Sequence, residues 1–246
     1  MRYDGYTFHE YNIEGMKLRS LFGLTLDKKG TVFCHSVNGQ IYYVKDDSLQ
    51  LYYELPDSSK WIYMHMEFDD RNQMIISCRN YYWLSPEKEL KPLMSWKFPR
   101  NFSMKKSEDG EILLADLSNN RIASLKNGEI SEFAPIPKEY SRYFENIQIV
   151  SNRSLFLGVA DIHPKLFEFR KDSIHLIQLK DLNNAESRAS VFVDNDNIIW
   201  MAYETNGLQM FQRNGTSLFG DELLFPNYRI SAFFQDREGN YWLPTF

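Results

Sequence analysis

One short pattern returns at a nearly fixed interval along this chain, and that interval restricts the folds open to it. The unit is an apolar strand, a polar turn and a second apolar strand. It reads LFGLTLDKKGTVF, MHMEFDDRNQMII, SMKKSEDGEILL, SVFVDNDNIIW and SAFFQDREGNYW, with a worn copy in NIQIVSNRSLFL. Taking the first turn position as an anchor gives Asp27, Asp70, Ser107, Val150, Asp194 and Asp236, spaced by 43, 37, 43, 44 and 42 residues. That period is the length of one propeller blade. Six positions after each anchor stand Phe33, Ile76, Leu113, Phe156, Trp200 and Trp242, so a large apolar side chain recurs with the turn.

The turn chemistry follows from the residues. Asp opens the turn by accepting hydrogen bonds from its own backbone, and Gly or Asn closes it where φ must be positive. Gly30, Gly110, Gly239 and Asn197 fill the closing position, with Gln73 and Arg153 marking looser turns. Each copy but the last continues into a second hairpin, such as NGQIYYVKDDSLQLYYEL or NGLQMFQRNGTSLF, and two hairpins make a four-stranded blade. One blade cannot bury both of its faces, so stacking around an axis is required. The expected fold is all-β, a propeller of four-stranded antiparallel blades. Whole blades fall at 19–57, 61–94, 100–136, 145–180 and 188–224, an outer half blade at 1–12 and an inner half blade at 229–246, in one domain. Closure of the two halves would give six blades. The alternative, which the sequence favours, is part of a larger, seven-bladed propeller. An apolar fraction of 43% and 15% aromatics, mainly 18 Phe and 15 Tyr, suit such strands and exclude wholesale disorder.

A net charge of -5 offers no global positive field for nucleic acid or anionic lipid. Cys34 and Cys78 are too few for a disulfide framework and lack zinc-site spacing; they read as core residues and leave the redox compartment open. No apolar run is long enough to span a membrane, and MRYDGYTFHEYN lacks the features of a signal peptide.

The run Arg2, Tyr3, Asp4, Gly5, Tyr6 and Phe8 resembles the blade end of the two-component regulator propeller repeats. Such repeats occur in large sensor histidine kinases and hybrid regulators of Bacteroidetes-type bacteria. Asp236, Gly239, Trp242 and Thr245 are similar to the family's inner hairpin; Asp194, Trp200 and the Asn206 to Leu208 turn repeat it. Copies between Leu21 and Phe169 depart from it, lacking the usual Trp and the Gly-Thr ending. The resemblance implies a sensor region on the periplasmic or extracytoplasmic side of a bacterial inner membrane. A small β-sandwich, a transmembrane helix and a kinase module would follow in the same polypeptide.

No nucleophile elbow, phosphate-binding loop, zinc-protease pair or kinase nucleotide motif is present. The histidines, His9, His35, His65, His163 and His175, are scattered, and none has a second His or Cys at metal-ligand spacing. Asp46-Asp47 and Asp69-Asp70 lie at turns, which explains them. The sequence therefore predicts no catalytic residue, no metal, no cofactor and no enzyme activity in this chain.

Candidate binding residues lie opposite the Asp turns. Arg19, Lys60, Arg100, Arg142, Arg188 and Arg229 precede their anchors by 6 to 10 positions, one per blade, and would form a cationic ring drawing in an anionic ligand or acidic segment. Solvated loop arginines are the simpler account. Tyr81, Tyr82, Trp83, Asn119, Asn120, His163 and Glu204 fall on the same side, where aromatics and amides suit a saccharide. Packing within the outer hairpin is the simpler account of Tyr81 to Trp83. The expected partners are thus a small anionic, saccharide or protein ligand and the downstream kinase, with a homodimer compatible and no nucleic acid. The expected function is ligand sensing. The competing readings are a propeller lyase or hydrolase acting on a glycan and a protein-interaction scaffold.

Overall fold

A computed structural model describes residues 2–3, 8–9, 21–56, 64–78, 80–93, 104–107, 110–116, 119–152, 155–160, 165–182, 189–203, 207–230, 233–236 and 238–243. The chain forms two compact units, Met1–Phe98 and Pro99–Phe246. All the described sheets are antiparallel, and a 3-10 turn spans Ser141–Asn146.

The first unit holds a two-stranded ribbon, β1 (Arg2–Tyr3) with β2 (Phe8–His9), and two four-stranded sheets. The first sheet is β3 (Leu21–Leu26), β4 (Val32–Ser36), β5 (Gln40–Lys45) and β6 (Ser48–Glu54), in that order. The second is β7 (His65–Phe68), β8 (Met74–Ser77), β9 (Tyr81–Leu84) and β10 (Leu90–Pro92). Alternation along the strands sends one row of side chains to each face. Phe33, Ile41 and Leu55 of the first sheet region therefore meet Met66, Phe68, Met74 and Ile76 of the second in one buried cluster. Phe33 makes the aromatic centre of it, 5.0 Å from Phe68 and 5.2 Å from Tyr52 by ring centroid.

The second unit repeats the plan. β11 (Met104–Lys106), β12 (Ile112–Asp116), β13 (Arg121–Lys126) and β14 (Glu129–Pro135) form one sheet; β15 (Ile147–Asn152), β16 (Leu155–Ala160), β17 (Lys165–Arg170) and β18 (Ser173–Ile177) form the next. Leu113, Ile122 and Ile136 pack on Phe144, Phe167 and Phe169 between them. β19 (Ala189–Val193), β20 (Ile199–Tyr203) and β21 (Leu208–Phe211) make a three-stranded sheet, joined to its predecessor by Leu157, Leu166, Val191 and Met201. Where the sequence suggests a fourth strand, the chain makes only isolated bridges, Ser217 to Phe211 and Leu224 to Leu208. A final hairpin, β22 (Phe234–Gln235) with β23 (Tyr241–Trp242), follows.

The inner-hairpin turns obey one rule, and it corrects the register of the repeat. In the first copy Asp27 Oδ1 accepts from the backbone N–H of Lys29 and Thr31, both at 2.8 Å, and the Gly30 N–H donates to the Asp27 carbonyl. Asp194 holds Asp196 and Ile198 in the same way. In the second copy the residue that does this is Asp69, bonded to the N–H of Arg71 and Gln73, and not Asp70. The left-handed position three residues on is then Asn72 (φ 63°), matching Gly30 (φ 80°) and Asn197 (φ 62°), rather than Gln73. With Asp69 as the anchor, the sixth residue after it is Ile75, which pairs with Glu67 as Phe33 pairs with Thr25 and Trp200 with Phe192. The fourth copy is different in kind. Asn152 pairs with Leu155, and Val150 lies inside the ladder opposite Leu157, so it is not a turn anchor.

Candidate functional site

The proposed basic ring is only partly visible. Arg19, Lys60, Arg100, Arg188 and His163 lie outside the described residues. Arg142 falls in the 3-10 turn Ser141–Asn146. Arg229 is exposed, between exposed Tyr228 and buried Ile230. Tyr81 is fully enclosed in β9. Trp83, two residues along, is half-buried; the Arg71 guanidinium lies 5.7 Å from its ring centroid and its indole N–H has no hydrogen-bond partner. Tyr81 and Trp83 thus form part of the sheet, with Arg71 of the adjoining turn against the Trp83 ring.

At the end of the hairpins opposite the Asp turns, a buried residue recurs that carries a hydroxyl, thiol or carboxyl group. The ninth position after Asp27, Asp69, Ser107 and Asp194 is Ser36, Cys78, Asp116 and Tyr203, and each is almost wholly buried. Asp116 accepts from the Asn119 backbone N–H at 3.1 Å, from the Asn119 amide and from Arg121 Nε at 2.8 Å. Tyr203 donates its hydroxyl to Gln209 Oε1 at 2.7 Å, and Gln209 Nε2 donates to the carbonyls of Asp181 and Gly220. Burial pushes the Tyr203 phenol well above its ordinary range. Asn119 and Asn120, expected to serve a ligand, instead bind Asp116 and the Ile136 carbonyl. Buried polar groups require such partners. The signal for this set is the anchor register, which places the ninth residue at the far end of the second strand in these four hairpins.

On the turn side a shallow cleft of about 420 Å³ is lined by Asp196, Asn197, Ile198, Gln212, Arg213 and Asn214. One wall is the Asp194 turn, and the other is the tip between β21 and Ser217. Arg213 is set by Glu168 of β17, a nearly buried carboxylate that also takes two hydrogen bonds from Arg170 at 3.0 Å. Burial alone would raise the Glu168 pKa, but the two guanidinium groups outweigh it and hold the carboxyl below its ordinary value. Two basic groups on one carboxylate leave Arg213 half-exposed at the cleft, able to hold an anionic group.

Cys34 and Cys78 are both buried thiols, and burial pushes the Cys34 thiol up to about 11, which leaves it protonated and unreactive. Among the described residues, no three His, Cys, Asp or Glu side chains come together to hold a metal. Nor is any described helix long and apolar enough to cross a membrane.

No family model and no curated protein matches the chain. Solved structures do. A catalytically inactive histidine-to-alanine form of virginiamycin B lyase from Staphylococcus aureus, with quinupristin, superposes with a TM-score of 0.69 at 16% identity, over 91% of this chain and 76% of that one. The extracellular domain of the hybrid two component system BT4673 from B. thetaiotaomicron superposes with a TM-score of 0.67 at 17% identity over 99% of this chain. The chain spans about a third of that domain, 34% of its length. A gluconolactonase from Xanthomonas campestris gives 0.53 at 10% identity, over 92% and 85%. The chain has a β-propeller fold, shared with a two-component sensor region and with enzymes.

Those enzymes overturn the expectation that the chain is not an enzyme. The exclusion rested on missing linear motifs, and a propeller can draw reacting groups from strands and loops of several blades, tens of residues apart. A local pattern is then neither needed nor expected.

Proposed function

We propose that this chain is the extracytoplasmic, ligand-sensing propeller segment of a two-component regulator whose kinase module lies in the same polypeptide. The observation that carries this reading is the superposition on the BT4673 extracellular domain over 99% of the chain. The blade-end run Arg2–Gly5 and the Asp–Trp hairpins support it independently, being sequence features rather than fold features. The ligand class that suits the residues is a small anionic or saccharide molecule, with a protein partner or a second copy of the chain as the alternative. Signalling then requires the ligand to favour one of two arrangements of the linked domains.

A second reading has its own support. The superposition on virginiamycin B lyase, at a TM-score of 0.69, favours a propeller enzyme. One experiment separates the two. The purified chain is screened by thermal shift against anionic metabolites and oligosaccharides, and each binder is incubated with the chain and followed by mass spectrometry. A binder recovered unchanged, which also alters kinase output of the intact protein, supports sensing. Consumption of the binder with a rate proportional to chain concentration supports the enzyme reading, and binding without any change in kinase output overturns the sensing one.

A further inference from the structure

His35 is a buried titratable group that no binding or catalytic reading uses. It lies on β4 and is 2% exposed. Gly23 of β3 covers its ring: a Cβ there would stand 2.7 Å from His35 Nε2. The same glycine takes a φ of 59°, where the ladder slips between Phe22 and Thr25. A side chain at position 23 would displace the imidazole, and the left-handed backbone disfavours one as well.

The hydrogen bonding is unbalanced. Nδ1 lies 3.3 Å from the Ser36 carbonyl oxygen. Nε2 completes no hydrogen bond, and the acceptor on its side is the carbonyl of Met64, at the entry to β7. Both ring nitrogens therefore face carbonyls. A neutral imidazole has one N–H and serves one of them; only the imidazolium serves both. Burial opposes that charge and holds the pKa below the ordinary 6.5, against the raising effect of the Ser36 and Met64 carbonyls.

We propose that proton uptake at His35 opens the seam between β3 and the start of β7, lifting Phe22–Leu24 so that water reaches the charged ring. β3 is the element placed to yield. Leu24 is 80% exposed, whereas the residues at the same place in three other innermost strands, Met66, Met104 and Val191, are 5%, 3% and 0% exposed. Phe22, 6.1 Å from the His35 ring by centroid, is itself 48% exposed. Lifting this segment thus uncovers little apolar surface, the mark of a low-stability opening unit. The charge has no anion beside it on β3, which carries no titratable side chain. On β4 the neighbour is the neutral Cys34 thiol; β5 contributes Tyr42, Tyr43 and, at its far end, Lys45, and β7 contributes His65 and Glu67. Linkage sets the direction. With a folded pKa below the ordinary one, the neutral state's contribution is complete above about pH 6.5 and declines as pH falls towards the folded value.

The test is amide hydrogen exchange on the intact chain between about pH 7.5 and about pH 4.5, corrected for intrinsic exchange, with NMR titration of the His35 ring. The expected result is a loss of protection in Leu21–Leu26 and at Met64–Met66 of about tenfold for each pH unit as pH falls from about 6.5 towards the His35 midpoint, levelling off below it, with β12 and β13 unchanged. The loss disappears in His35→Phe, and in His35→Gln should the first variant misfold. A His35 that does not titrate, or a loss of protection that persists in a folded variant, overturns the proposal.

Discussion

Asp194 and Asp69 occupy the same place in two blades and make the same turn, yet their second oxygens live differently. Oδ1 of each binds two backbone N–H groups. Oδ2 of Asp194 accepts the Trp200 indole N–H at 2.8 Å and the hydroxyl of Tyr241, from the next hairpin, at 3.0 Å. Oδ2 of Asp69 accepts no hydrogen bond; Ile75 stands where Trp200 would, and the nearest cation is Arg71 Nε at 3.5 Å, on a half-exposed side chain. One carboxylate therefore closes a turn, and the other closes a turn, clamps its own second strand and fixes the neighbouring hairpin. The co-occurrence of Asp and Trp six residues apart is a hydrogen bond, not only a shared apolar position.

Removing each carboxylate breaks the comparison most strongly. Asp194→Ala leaves two part-buried turn N–H groups, a buried indole and a part-buried phenol without their acceptor, a loss of about 3 kcal/mol. Asp69→Ala loses only the two turn bonds and a half-exposed ion pair, about 1–2 kcal/mol. Urea unfolding of the two variants, read against the unmodified chain, measures both. Equal losses would show that Oδ2 of Asp194 contributes nothing beyond the turn.

The two donors on that oxygen give a smaller and sharper test. Trp200→Phe keeps an aromatic ring against Phe233 and Tyr241, whose centroids lie 4.9 and 4.8 Å away, and removes the N–H, for about 1–2 kcal/mol. Tyr241→Phe should cost less, about 0.5–1 kcal/mol, because that residue is 41% exposed. Because they share one acceptor, their double-mutant cycle should show a coupling of at least about 0.5 kcal/mol. Simple additivity would separate the clamp into two independent contacts.

The blades are legible in the sequence because their information is local. Asp27, Asp194 and Asp236 each set a turn through hydrogen bonds spanning four residues, so period and turn type can be read from the letters. The second copy reads one residue out of register because Asp69-Asp70 offers two candidates, and only the positive φ at Asn72 selects the first. The fourth yields a false anchor because the ladder runs past Val150, opposite Leu157, as far as the pair Asn152 and Leu155. Binding groups are less legible, since their fate is decided across strands. Nothing near Asn120 in sequence indicates that the Ile136 carbonyl, 16 residues on, would claim its amide. His35 shows its tension only once Gly23 and Met64 are brought against it. Catalysis escapes a search for linear motifs for the same reason: a site assembled from several blades leaves no contiguous trace.

The smallest expected effect comes from the third clamp, in the last hairpin. Asp236 Oδ2 accepts the Trp242 indole N–H at 2.9 Å, as in the Asp194 blade, but Trp242 is 52% exposed. The Trp242 hydrogen bond, followed by that of Asn240, holds the Asp236 carboxyl below its ordinary 3.8. Trp242→Phe should therefore raise the Asp236 pKa towards that value, by carboxyl-carbon NMR, with little change in the unfolding midpoint at neutral pH because water replaces the lost donor. The sign follows from linkage: a lowered carboxylate pKa favours the folded state above about pH 3.8, and the benefit fades as pH falls through the folded value. An unchanged Asp236 pKa in that variant would mean the turn alone orders the carboxylate, and the indole would then be a consequence of the blade's geometry rather than one of its causes.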